Sequence, residues 1–72
     1  MNIDWQRLCL DIRTAGLSMR AVDLRLGRHT DYAAKIARGE IREPKFADGI
    51  SLLNLHLDTC GAEKTAALRG AV

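Results

Sequence analysis

Four of the six glycines divide the chain into segments of helix length, and this spacing limits the possible folds more than any other feature. Gly16, Gly27, Gly39 and Gly61 each follow a run in which apolar residues recur every three or four positions. That spacing is typical of an amphipathic helix, and glycine is a common residue after the last helical turn. No run alternates in the way a strand requires. The sequence therefore predicts an all-α domain of four helices, or of five if the residues after Gly61 are also helical.

The first three helices are short and have recognisable ends. The first is predicted over residues 4–15, with Trp5 and Cys9 on its apolar face. The second is predicted to begin after Ser18, because a serine hydroxyl can accept a hydrogen bond from the free amides of the first turn. The third is predicted to begin at His29 or Thr30, with threonine the better cap, and to end before Gly39.

The fourth helix has the longest apolar stripe and is predicted to open at Pro44, since a missing amide costs nothing there. The residues of that stripe, which are expected to face the core, are Phe46, Ile50, Leu53 and Leu57. Gly49 lies inside the helix, where glycine costs about 1 kcal/mol relative to alanine, so a close contact with its backbone is expected.

A second apolar face of the same helix carries Leu52 and Leu55. We expect this face to be covered either by the tail or by a second copy of the chain, and it is the predicted dimer interface. The domain is expected to comprise residues 1–61. Residues 62–72 have no capping residue and are predicted to form a frayed or weakly helical tail.

Length and composition limit the classes of function. A chain of 72 residues makes one small domain, close to the lower limit for a single hydrophobic core. No apolar run approaches the roughly 20 residues of a membrane span, and the N-terminus has no apolar signal segment, so a cytoplasmic location is expected. The volume is too small to enclose a substrate easily, and no nucleophile and base occur at a recognisable spacing. We therefore expect no enzyme activity, no cofactor and no small-molecule ligand.

The two cysteines are expected to be free thiols. Cys9 and Cys60 are far apart and belong to no C-x-x-C pair. Together with His29 and His56 they could supply four zinc ligands, but zinc sites normally use paired short spacings that are absent from this sequence. No metal site is predicted.

The charge is concentrated in the middle of the chain. The net charge is +2, but residues 20–45 contain seven basic and four acidic side chains. An excess of this kind is expected of a surface that attracts phosphates, and a solvated helix surface would have the same composition.

Residues 18–44 resemble the helix-turn-helix of phage repressors and Cro-type regulators. The matching positions are the cap Ser18, the apolar Val22 and Leu26, the turn glycine Gly27, the inward Ala33 and Ile36, and the exit Gly39 and Pro44. The chain departs from the family pattern at Met19, often glutamine, at Arg28, usually apolar, and at Asp23, usually alanine. The resemblance implies a lambda-repressor-like domain.

Asp23 is the most informative departure, because it stands where the two helices of the motif touch. A buried carboxylate needs hydrogen-bond donors. One hypothesis is that Asp23 ties the second helix to the third through Thr30, His29, Arg20 or Arg28, with the small Ala33 making room. The other is that the helix is rotated and Asp23 is solvated.

The resemblance also implies that the third helix lies in the major groove of double-stranded DNA, with its first residues at base edges. The implied base contacts are Thr30, Asp31, Tyr32, Ala34 and Lys35. The implied phosphate contacts, which include the amides at the start of the second helix, are Ser18, Met19, Arg20, Arg28, Arg38, Arg42 and Lys45. Useful specificity normally needs two copies on a two-fold site, so a homodimer is implied.

The sequence thus favours a sequence-specific transcriptional regulator. The predicted type is a repressor of a phage or mobile element that occupies an operator. The alternative is a protein-interaction module on the same helices, which would bind a toxin or a polymerase component. Asp23, Asp31 and the low net charge favour that alternative, and a weak dependence of binding on salt would identify it.

Overall fold

The computed structural model describes residues 3–29 and 31–69, and it confirms an all-α fold. The described residues form five helices: α1 Trp5–Thr14, α2 Met19–Arg25, α3 Tyr32–Ala37, α4 Phe46–Cys60 and α5 Ala62–Ala66. Extended backbone pairs at an isolated bridge between Ile3 and Arg69. Within these ranges, no helix combines the length and the apolar character that crossing a membrane requires.

Helix α1 is the centre of the packing. It contacts both α3 and α4, while α2 packs on α3 and α5 packs on α4. The apolar side chains removed from solvent come from every helix except α5 and from both flanking segments: Ile3, Leu8, Cys9, Ile12, Val22, Ala33, Ile36, Leu52, Leu55 and Leu68. One core thus joins both ends of the described chain.

The predicted cap of α2 and the predicted glycine after α1 are confirmed, whereas the predicted start of α3 is displaced. The hydroxyl of Ser18 accepts a hydrogen bond from the amide of Ala21 at 3.1 Å, and Gly16 takes the positive φ of 111° expected after α1. Helix α3 begins at Tyr32, later than the predicted start at His29 or Thr30. Asp31 occupies its cap position without a side-chain hydrogen bond, and Thr30 lies outside the described residues.

The prediction of which face of α4 turns inward was wrong. The buried residues are Gly49, Leu52, Leu55 and His56, whereas Phe46 is 85% exposed and Leu57 44% exposed. The predicted opening at Pro44 was also wrong, because the helix begins at Phe46 with Lys45 as its cap and Pro44 precedes that cap. The spacing of apolar residues gives α4 two apolar faces, and packing against α1 buries the one that carries Leu52.

The side chain of Trp5 explains this orientation. A Cβ built on Gly49 would lie 3.1 Å from Cη2 of Trp5, so the indole occupies the space that a side chain would take. This confirms the predicted close contact at Gly49. Because the glycine faces α1, the residues that share its face, Leu52 and His56, face α1 too.

Leu52 and Leu55 are therefore core residues, and the predicted dimer interface at these positions was wrong. Leu52 is fully buried and Leu55 is 9% exposed within a single copy of the chain. Neither side chain is available to a second copy.

The buried His56 joins three helices. Its Nε2 lies 2.9 Å from Oδ2 of Asp11, and its Nδ1 lies 2.6 Å from Oγ1 of Thr65. Burial alone would raise the pKa of the Asp11 carboxyl, but hydrogen bonds from His56 and Arg7 outweigh it and hold that pKa below its ordinary value. A buried polar side chain is tolerated here because both ring nitrogens have partners.

The segment after Gly61 packs on the core. Of the two predicted forms of the tail, frayed or weakly helical, residues 62–66 take the helical one as α5. Helix α5 is short, but Leu68 beyond it is only 2% exposed. The carbonyl of Leu68 accepts a hydrogen bond from the amide of Asp4 at 3.1 Å. Residues 70–72 of the predicted tail lie outside the described residues.

Candidate nucleic-acid interface

Asp23 ties α2 to α3, as one of the two hypotheses predicted. The side chain is 6% exposed, and its Oδ1 accepts a hydrogen bond from the backbone amide of Ala33 at 2.8 Å. The solvated alternative was therefore wrong. Of the predicted donors, Arg20, Arg28 and His29 make no hydrogen bond to Asp23, and Thr30 lies outside the described residues. The actual donor follows from the late start of α3, which leaves the amide of Ala33 in the first turn, where no partner exists within the helix.

Asp23 thus caps α3 from a neighbouring helix. The cap residue within the chain, Asp31, makes no such bond. Ala33 is fully buried, and its single methyl group lets the carboxylate reach the backbone. The two unusual residues of this motif, Asp23 and Ala33, form one interaction that fixes the angle between α2 and α3.

The charge of Asp23 also affects Cys9 on α1. Burial raises the pKa of the Cys9 thiol to about 12, and the negative charge of Asp23 adds to this effect. A thiol with such a pKa stays protonated at neutral pH and is a poor nucleophile. Cys9 is therefore a core residue, as its spacing in α1 predicted.

A second cluster fastens the start of α3 to the start of α4. The Arg28 guanidinium donates to Oδ2 of Asp48 at 2.5 Å and lies 3.9 Å from the centre of the Tyr32 ring. The Tyr32 hydroxyl in turn accepts a hydrogen bond from the amide of Lys45 at 3.3 Å.

This cluster corrects two implied DNA contacts. Arg28, implied as a phosphate contact, and Tyr32, implied as a base contact, direct their polar groups at other parts of the chain. Asp48 was not anticipated, because it is 20 residues from Arg28 and only the fold brings the two together.

The exposed face of α3 retains the other implied base contacts. Asp31 and Lys35 are exposed and Ala34 is half-buried. Thr30 lies outside the described residues. Arg38, at the end of the helix, is exposed and pairs with the equally exposed Glu40 at 2.5 Å. A pair so open to water is weak and can exchange for another anion.

Many exposed basic side chains have no acidic partner. Among the residues that the structure describes, eight exposed lysines and arginines form no ion pair, and five of them fall between residues 18 and 45: Arg20, Arg25, Lys35, Arg42 and Lys45. Arg20 lines a groove of about 160 Å³ between α2 and α3 together with His29, Asp31 and Ala34. His29 was not among the implied contacts, although its place directly before α3 could have suggested it.

The start of α2 is partly used by the fold itself. The Ser18 hydroxyl is occupied as the helix cap, and the Met19 side chain is half-buried against the core. Ser18 itself stays exposed, and the contact implied at this helix start is through the backbone amides, which the burial of the Met19 side chain does not cover.

In residues 3–29 and 31–69, no three His, Cys, Asp or Glu side chains gather as metal ligands would. Comparison with protein-family models finds no match, and comparisons with curated proteins and with solved structures find no similar protein at a significant level.

Proposed function

We propose that this protein is a sequence-specific DNA-binding regulator, most similar in action to the small repressors of phages and mobile elements. One observation carries the proposal. The α2–turn–α3 unit is held rigid by Asp23 and the Arg28 cluster, while the exposed face of α3 presents charged side chains that the described chain does not use internally. A short helix presented in this way fits the major groove of DNA.

The contacts would divide by position. Lys35 is the best donor to a guanine, Asp31 can accept from a cytosine amino group, and Ala34 can contact a thymine methyl. Thr30 remains a proposed base contact from the resemblance. Arg20, Arg42 and Lys45 would bind phosphates and set the register, and Arg38 could join them by releasing Glu40.

In this proposal the protein acts on DNA in the cytoplasm and blocks polymerase by occupying an operator. In the same proposal, regulation comes from protein concentration or from competition with another repressor.

The test is selection of duplexes from a random DNA pool, followed by fluorescence anisotropy at several salt concentrations. The logarithm of the binding constant should fall by about 0.9 per logarithm of salt for each phosphate neutralised. Lys35→Gln should weaken binding to the selected sequence by about 1–3 kcal/mol and relax its specificity. Lys64→Gln, an exposed lysine on α5, is the matched control and should change neither.

Failure to enrich any sequence, or equal effects of the two lysine variants, would contradict the proposal. The second candidate, a protein-interaction module, would then be favoured. It has one observation of its own, since Leu24 is 57% exposed and lines the same groove as Arg20. Binding through that leucine would depend little on salt and would be lost in Leu24→Glu.

A further inference from the structure

Asp31 occupies the cap position of α3, but its side chain does not cap the helix. Its backbone stands at φ −73° and ψ 40°, whereas Ser18, which does cap α2, has the extended ψ of 156° that is typical of capping residues. Helix α3 has only six residues, so the free amides of its first turn make up a large share of its backbone donors. A group outside α3 satisfies one of them.

Asp23 on α2 takes the amide that Asp31 would otherwise use. Ala33 is the second residue of α3, and the amide at this position is one of the two from which a cap side chain normally accepts. Oδ1 of Asp23 accepts from it at 2.8 Å, and Asp23 is only 6% exposed. An amide has one proton to donate, so this contact displaces the Asp31 side chain from the cap.

The side chain of Asp31 is left on the surface. It is exposed, makes no ion pair with any described residue, and borders the groove of about 160 Å³ between α2 and α3 together with Arg20 and His29. Negative charge on a surface that approaches phosphates is unfavourable. A carboxylate in this place therefore weakens binding wherever DNA offers it no donor, and it is tolerated where DNA does.

We propose that Asp23 positions Asp31 for base recognition: by holding the Ala33 amide, Asp23 keeps the Asp31 carboxylate free to accept a hydrogen bond from the amino group of a cytosine. The proposal rests on the DNA-binding function proposed above. Asp23 itself is a positioning residue, because it is buried and acts only through the start of α3.

The chemistry of a carboxylate identifies the base that Asp31 selects. The major groove presents two amino groups, N4 of cytosine and N6 of adenine. Adenine carries the N7 acceptor beside its amino group, and guanine and thymine present only acceptors on this edge, so each of these bases repels a carboxylate. Asp31 therefore matches cytosine, and its selectivity comes from a penalty against the other bases as well as from one contact with the right base.

The experiment measures dissociation constants of the full chain for the duplex selected from the random pool and for versions with single base-pair changes. The wild-type protein should show a cytosine whose replacement by thymine weakens binding about tenfold, the usual effect of one wrong base pair. Asp31→Asn should move the preference at that position to adenine, because asparagine matches N6 and N7 of adenine. Asp31→Ala should abolish the preference there and preserve the preferences at other positions.

Asp23→Ala tests the positioning role. Without the Asp23 carboxylate the amide of Ala33 is free, and Asp31 should rotate into the cap. The ratio of the dissociation constants for the thymine and cytosine duplexes should then fall from about ten towards one, although Asp31 is still present. Because both constants are measured on one protein, a smaller folded fraction changes them equally and leaves the ratio unaffected. Asp23→Asn keeps an acceptor oxygen and should retain most of the ratio.

Leu68→Ala is the matched control, because it removes a buried side chain beyond α5 and outside the α2–turn–α3 unit. It should keep the wild-type ratio. If circular dichroism shows that Asp23→Ala is unfolded, Asp23→Ser, whose side chain is too short to reach the Ala33 amide, takes its place. A wild-type ratio in the variant that lacks the Asp23 contact would overturn the positioning role.

The remaining outcomes separate this role from DNA binding itself. A selected duplex at which neither Asp31 variant changes the preference for any cytosine would overturn the role of Asp31 and leave the proposed DNA binding intact. Failure to select any duplex would overturn the proposed function, and the roles of Asp23 and Asp31 with it.

Discussion

At the scale of single residues, the interaction between Asp23 and the amide of Ala33 is the feature that most defines the candidate interface. The sequence indicated that an acid at position 23 needs a hydrogen-bond donor. It also indicated that the small side chain of Ala33 leaves space for the Asp23 carboxylate. The donor itself could not be predicted, because it is a backbone amide freed by the late start of α3. The carboxylate of Asp23 is also negatively charged, and the helix dipole favours negative charge at the start of a helix.

Replacing Asp23 with alanine is expected to leave that amide buried without a partner. The expected loss in the free energy of unfolding is about 1–3 kcal/mol, measured by urea denaturation. Asp23→Asn keeps an acceptor oxygen and should lose less.

The matched control is Asp31→Ala, which removes an exposed acid at the cap position of the same helix. Because the side chain of Asp31 makes no cap hydrogen bond, its loss should change stability by no more than about 0.5 kcal/mol. If Asp31→Ala were the more costly change, the cap would belong to Asp31, and the role assigned to Asp23 would be refuted.

At the scale of helices, α4 shows where sequence periodicity is ambiguous. Two apolar faces, one with Phe46 and Leu57 and one with Leu52 and Leu55, have comparable hydrophobicity along the sequence. The longer stripe was predicted to be inside, and the shorter face is the one that packs. What selects it is steric fit, since the indole of Trp5 needs the surface of Gly49, and the hydrogen bonding of His56 needs Asp11 and Thr65.

Gly49→Ala tests this explanation. Helix propensity alone predicts a gain of about 1 kcal/mol. A Cβ 3.1 Å from Cη2 of Trp5 requires the ring to move by a few tenths of an ångström, and because Trp5 packs against the core we expect this to outweigh the gain. The emission of Trp5, the only tryptophan in the chain, should change as the ring moves.

The same substitution in a Trp5→Leu background should become stabilising, because the obstacle has been removed. Ser51→Ala, on the exposed side of α4, is the control and should be neutral or slightly stabilising in both backgrounds. A stabilising Gly49→Ala in the presence of Trp5 would show that the contact with Trp5 does not fix the orientation of α4.

At the scale of the whole molecule, the segment after Gly61 closes the core. A chain of this length has few apolar residues to spare, and Leu68 returns to the N-terminal segment, where Ile3 is also buried. No local pattern in the sequence indicates this contact, since α5 is short and its cap residue supplies no side chain. The domain is therefore larger than the predicted residues 1–61.

Leu68→Ala is expected to lower the free energy of unfolding by about 2–5 kcal/mol, the usual cost of deleting a buried leucine side chain. Urea denaturation followed by circular dichroism measures it. Leu24→Ala, at a leucine that is 57% exposed, should cost far less. Equal effects at the two positions would mean that the tail does not contribute to the core.

Features that depend on neighbouring residues were determined by the sequence alone: the all-α class, the cap at Ser18 and the glycine after α1. Each follows from the spacing of residues within about one helical turn, where backbone sterics and local hydrogen bonds act directly. The need for a partner at Asp23 belongs to the same class.

The tertiary structure alone decided which face of α4 is buried, which donor meets Asp23, that Arg28 and Tyr32 turn to Asp48 and Lys45, and that Leu68 completes the core. These contacts join residues far apart in the chain, and each depends on the shape and charge of surfaces that exist only after the helices have packed. The spacing of apolar residues indicates which faces of a helix can be buried. Which of those faces is buried depends on the free energy of packing all the helices together.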